Sequence, residues 1–155
     1  VTLHTELQGG NARALPVFLC GTTISADNDI AITSNLSGAT NTGMSAIELR
    51  NNNTLNATAG NITISNLRTD TGAGNGVFLN GSSAGAVRLT AGKDIILNGS
   101  VGGNGNGVQV KNATLNSSGN LTLTGHSATT GTGVNVTDST LNAASANITG
   151  SSNAG

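Results

Sequence analysis

Val108-Gln109-Val110-Lys111-Asn112-Ala113-Thr114-Leu115-Asn116-Ser117-Ser118-Gly119-Asn120-Leu121-Thr122-Leu123 holds three short runs in which apolar and polar residues alternate. Each run is too short for a helix, and a period of two places its aliphatics on one face of a strand. Asn, Ser and Gly stand between the runs, where residues that accept positive φ turn corners. The same order recurs on both sides of this stretch. A first strand reads Val17-Phe18-Leu19, Ile47-Glu48-Leu49, Val77-Phe78-Leu79, Val108-Gln109-Val110 and Val134-Asn135-Val136, at spacings of 30, 30, 31 and 26 residues. A second follows as Thr23-Ile24-Ser25-Ala26, Thr54-Leu55-Asn56-Ala57, Arg88-Leu89-Thr90-Ala91, Thr114-Leu115-Asn116-Ser117 and Thr140-Leu141-Asn142-Ala143. A third reads Ile30-Ala31-Ile32, Ile62-Thr63-Ile64, Ile95-Ile96-Leu97, Leu121-Thr122-Leu123 and a weaker Ile148-Thr149, with Val1-Thr2-Leu3 as the third strand of a preceding coil.

Three strand types in constant order predict an all-β fold, a right-handed parallel β-helix of about five coils. One coil cannot bury its few aliphatics, whereas stacked coils make a continuous column of Val, Ile and Leu. At about 4.8 Å per coil the stack is about 24 Å tall. A β-sandwich also suits short strands with turn signals, but its strands would not recur in three ordered types. Neither a six-residue aliphatic beat nor a leucine-rich consensus is present. Residues 1–155 form one segment, with longer-looped coils in 1–105 and shorter ones in 106–155; loops on the early coils are where recognition would concentrate. Pro16 sits just before a strand, where proline is tolerated.

Composition narrows the function classes. The apolar fraction of 35% is low for an ordinary globular core, yet a net charge of −1 argues against disorder. Six Lys plus Arg, no Trp or Tyr and two Phe leave little support for a nucleic-acid partner. No apolar run is long enough for a membrane helix, so no membrane insertion is expected. The opening residues lack a signal-peptide pattern, which reads as an internal piece of a longer protein. Cys20 has no partner for an internal disulfide, and no Cys/His set has zinc spacing.

Thr58-Ala59-Gly60-Asn61-Ile62-Thr63-Ile64, Thr90-Ala91-Gly92-Lys93-Asp94-Ile95-Ile96-Leu97 and Ser117-Ser118-Gly119-Asn120-Leu121-Thr122-Leu123 resemble the haemagglutinin-type repeats of filamentous haemagglutinin and related two-partner-secretion exoproteins, including high-molecular-weight adhesins. The resemblance covers nearly the whole chain. It implies a secreted protein on a Gram-negative cell surface, exported through an outer-membrane partner pore. It further implies a virulence-associated adhesin rod that meets a host cell-surface glycan or protein. The alternative it implies is the shaft of a contact-dependent inhibition protein. Nothing here matches the Asn-Pro-rich amino-terminal secretion domain of the family, so the chain reads as a piece of shaft.

Candidate chemistry is sparse, and no cofactor or metal is expected. Phe18, Glu48, Phe78, Gln109 and Asn135 share the centre of the first strand, where alternation points them outward. Exposed aromatics there would mark a binding spot, and the first four form the candidate binding set; an early loop folded over the rings would instead bury them. Asn-X-Ser/Thr sequons begin at Asn35, Asn52, Asn56, Asn61, Asn80, Asn98, Asn112, Asn116, Asn120, Asn135 and Asn147. With 22 Asn and 37 Ser plus Thr, random order gives about five, and there are eleven. The resemblance to high-molecular-weight adhesins makes them candidate glycosylation sites; polar strand faces and Asn stacks are the bland alternative.

Polysaccharide-cleaving enzymes also use parallel β-helices, but they need clustered carboxylates with Arg or Lys. Asp27 and Asp29 are the close carboxylate pair here, and the aligned positions in later coils are mostly Gly, Asn or neutral, so the pair reads as turn chemistry and the chain as a non-enzyme. His4 and His126 read as surface residues and Cys20 as an incidental corner residue. Gly102 to Val110 approaches a calcium nonapeptide but carries Gly107 where Asp must ligate. Thr-X-Thr triplets at Thr40, Thr69, Thr122 and Thr130 do not form the flat array of an ice-binding face.

Overall fold

A computed structural model of the chain describes residues 1–10, 17–39, 43–68 and 72–153. Pro16 and the Thr40 and Thr69 triplets lie outside the described residues. The first strand, β1 (Thr2–Gly10), precedes five coils of three strands each. Coil one is β2 (Val17–Cys20), β3 (Thr23–Ala26) and β4 (Ile30–Ala39). Coil two is β5 (Ile47–Arg50), β6 (Thr54–Ala57) and β7 (Ile62–Arg68). Coil three is β8 (Val77–Asn80), β9 (Val87–Ala91) and β10 (Ile95–Val101). Coil four is β11 (Val108–Lys111), β12 (Ala113–Ser117) and β13 (Asn120–Ser127), and coil five is β14 (Val134–Thr137), β15 (Thr140–Asn142) and β16 (Ser145–Ser152).

Like strands pair with like in parallel, giving a first sheet β2-β5-β8-β11-β14, a second β3-β6-β9-β12-β15 and a third β1-β4-β7-β10-β13-β16. The molecule is a parallel β-solenoid of about five turns, as the repeat predicts. Val77, Val108 and Val134 stand in one register row, as do Leu89, Leu115 and Leu141. Ile62, Ile95 and Leu121 form the matching row of the third sheet. These rows fill the interior: Ile47, Leu49, Val77, Leu79, Leu89, Ile95, Leu97 and Leu115 are fully buried. Each such side chain stabilises the stack by about 1.5–3 kcal/mol relative to exposure. The column ends in half-buried Leu3, Leu19 and Ile24 on one side and Val134, Val136 and Leu141 on the other.

Polar residues turn the corners for identifiable reasons. After the first strand, Gly21, Asn51, Asn112 and Asp138 hold equivalent places with φ between 45° and 62°. That left-handed region is open to Gly and tolerated by Asn and Asp. Coil three departs from this row, because the longer loop 81–86 replaces the tight corner. A second corner, after the third-sheet triplets, needs glycine for space. A Cβ on Gly125 would lie 1.8 Å from the Gly133 carbonyl oxygen, and one on Gly99 1.9 Å from that of Gly107. The third-sheet strands also run past the aliphatic triplets that the sequence marks, to Arg68, Val101 and Ser127. Their later residues carry Asn66, Gly99 and Gly125 in place of alternating aliphatics, which is why periodicity stops short of them.

Candidate functional site

The first sheet sets Phe18, Glu48, Phe78, Gln109 and Asn135 in one row across five strands. Beside it runs Cys20, Arg50, Asn80, Lys111 and Thr137. Since adjacent strands lie about 4.8 Å apart, Glu48 is flanked by two phenyl rings and faces Arg50 and Asn80. Its Oε1 accepts hydrogen bonds from Arg50 Nε at 3.0 Å and Asn80 Nδ2 at 2.8 Å, with Arg50 Nη2 at 2.9 Å. The Arg50 guanidinium also lies 5.2 Å from the centroid of the Phe18 ring, within cation–π range.

Two expectations change on this geometry. Glu48 lies on the outward row, but only 5% of it is exposed, because its neighbours cover it and its carboxylate is engaged. Phe18, by contrast, is 39% exposed and Phe78 is half-buried, so the rings are not enclosed in a satellite cluster. Gln109 is half-buried, and its Oε1 accepts from Asn75 Nδ2 at 2.9 Å. The patch available to a partner is therefore the Phe18 ring with the half-exposed Arg50, supported from beneath by Glu48.

At the corner before the third sheet, Asp29, Asn61, Asp94 and Asn120 form a ladder. Asp29 Oδ1 accepts from the Asn61 backbone N–H at 2.7 Å and from its Nδ2 at 3.1 Å. Asn61 Oδ1 accepts from the Asp94 N–H at 3.2 Å, and Asp94 Oδ1 from the Asn120 N–H at 2.7 Å. The backbone donor Asn61 holds the Asp29 carboxyl below its ordinary 3.8, against a smaller opposing effect of desolvation. Asp29 is thus a turn residue, as its position suggests. Asp94 occupies the same corner two coils on, a carboxylate that the sequence reading passes over because unequal coil lengths obscure the alignment.

The eleven sequon asparagines divide by environment. Asn52, Asn120 and Asn147 are exposed; Asn35, Asn56, Asn61, Asn80, Asn98, Asn112, Asn116 and Asn135 are half-buried. Asn61, Asn80 and Asn112 commit their Nδ2 to Asp29, Glu48 and the Gly81 carbonyl. Asn116 accepts from Asn142 Nδ2 at 2.9 Å, an inter-coil Asn stack. Asn53, the middle residue of the sequon that begins at Asn52, is fully buried: its Nδ2 donates to the carbonyls of Arg50 and Leu19 and its Oδ1 accepts from the Thr22 N–H. Only its place inside a run of three Asn marks it in the sequence.

In comparisons with known proteins, no family model, curated protein or solved structure matches the chain. Function therefore rests on the residues themselves. His4 is exposed, with Nδ1 2.7 Å from Thr33 Oγ1; His126 is half-buried, with Nδ1 2.9 Å from Ser151 Oγ. Cys20 is a free, exposed thiol. Among the described residues no group of three or more His, Cys, Asp or Glu side chains comes together to hold a metal ion.

Proposed function

We propose that the chain is a stiff adhesive segment of a secreted bacterial surface exoprotein, a shaft that presents corner loops and an outward aromatic–guanidinium patch to a host or neighbouring cell. The observation that carries this reading is the division of labour in the solenoid. Three in-register parallel sheets share one invariant aliphatic column, while the length of the corner loops varies from coil to coil. A ladder of this kind resists bending, so a partner meets a preformed surface and binding loses little conformational entropy. Export through an outer-membrane pore in unfolded form and folding outside belong to the same proposal. So does hexose transfer to the exposed Asn120 and Asn147, which intact mass of native material would register as steps of one hexose.

The direct test is attachment. Beads coated with the chain should adhere to cultured mammalian cells more than beads coated with an unrelated β-solenoid of similar charge. Equal adherence of the two bead types would remove the adhesive reading and leave a purely structural spacer.

A further inference from the structure

The first corner of coil three carries the six-residue loop 81–86, where the equivalent corners span one to three residues. The loop closes on itself: Ser82 N–H donates to the Gly85 carbonyl and Gly85 N–H to the Ser82 carbonyl, both at 3.0 Å. It also rests on coil two, since a Cβ on Gly85 would fall 2.1 Å from Asn52 Oδ1. Between this loop and the second sheet lies an open groove of about 410 Å³, whose polar and charged walls are Asn52, Thr54, Ser82, Ser83 and Arg88. The volume falls within the range of about 300–1,000 Å³ typical of small-molecule clefts.

Charge decides what this groove takes. Arg88 is exposed, stands in register between Thr54 and Thr114, and makes no ion pair among the described residues. No acidic residue lines the groove, so it presents one unneutralised guanidinium among hydroxyls and an amide. We propose that the groove binds a carboxylated sugar residue, with Arg88 taking the carboxylate and Thr54, Ser82, Ser83 and Asn52 exchanging hydrogen bonds with ring hydroxyls. A planar guanidinium matches a carboxylate in bidentate fashion, whereas a neutral sugar here gains little over water. The inference deepens the attachment reading and rests on it: Arg50 and Asn80 of the aromatic patch are each two residues from the groove residues Asn52 and Ser82, so patch and groove lie along one corner.

The test is an amide NMR titration of the whole chain with methyl glucuronide, methyl glucoside and inorganic phosphate, each to about 20 mM, against an expected Kd of about 1 mM. The glucuronide should shift the amides of Asn52, Thr54, Arg88 and the 82–86 loop, the glucoside should not, and phosphate, which meets Arg88 but not the hydroxyl partners, should bind about tenfold more weakly. Arg88→Gln should weaken glucuronide binding about tenfold or more, and Arg88→Lys should restore part of it. Both variants should keep the wild-type amide pattern outside the groove. Equal shifts with glucoside, equal binding of phosphate, or no shift at these amides would each overturn the proposal. Bead adherence without glucuronide binding removes this inference alone, and glucuronide binding without adherence removes the attachment reading.

Discussion

Coils two and three build the same three sheets as coils four and five, but from more chain. First strands step by 30 and 31 residues from coil two to coil four, and by 26 from coil four to coil five. The difference lies in the corners. Coil three spends its extra residues in the 81–86 loop; at the corner after the third sheet, coils three and four alike set Gly99 and Gly125 against Gly107 and Gly133 backbone to backbone. At the corresponding corner of coil two, side chains do the work: Asn66 is buried and bonds both the N–H and the carbonyl of Ser100, and buried Arg68 donates from Nη1 to the Met44 carbonyl at 2.7 Å. A constant core thus tolerates two corner chemistries, one that excludes side chains and one that needs them.

The sharpest way to break this comparison is Gly125→Val, which puts side-chain atoms into the Gly133 backbone. Urea unfolding should show a loss of about 4 kcal/mol or detachment of coil five, and a cost under about 1 kcal/mol would show that the glycine row is not what closes the late corner. Leu89→Ala probes what the two halves share. A loss of about 3 kcal/mol is expected from the cavity, with the unfolding slope unchanged.

At the early corner, Asn66→Ala leaves the Ser100 backbone groups without their side-chain partner and should cost about 2 kcal/mol by the same assay. Arg50→Ala removes two of the contacts on Glu48 and the cation over Phe18. Because Arg50 is half-exposed, about 1 kcal/mol is expected. The smallest effect belongs to Asp29, whose lowered folded pKa contributes stability that is present above its unfolded value and lost as pH falls through the folded one. Asp29→Asn should therefore narrow the difference in urea midpoint between pH 6 and pH 3, and an unchanged difference would remove Asp29 from the acid response.

The aliphatic rows were legible because burial in a stacked coil imposes a period of two within strands and an ordered recurrence between them. Val77, Val108 and Val134 need no further information to be aligned. Corner residues were legible only as a class, the Asn, Ser and Gly between runs, as at Asn112; which of them takes a positive φ, as Gly21, Asn51 and Asp138 also do, needed the folded backbone. What escaped was every polar contact set by the exact path of a corner. Glu48 looks like an exposed acid because its partners, Arg50 and Asn80, lie two and 32 residues away. Asn53 looks like its neighbours, and Arg88 becomes notable only when the 81–86 loop folds over a wall that holds no acid.

The hydrogen bonds of all three sheets run from coil to coil, parallel to the axis of the stack. Tension along that axis therefore pulls on these bonds end-on, and because the interfaces bear it in series the weakest yields first and peels a single coil, releasing about 90–100 Å of slack before the next yields. A stack of this kind would yield stepwise under a pulling force and rewind when the pull relaxes.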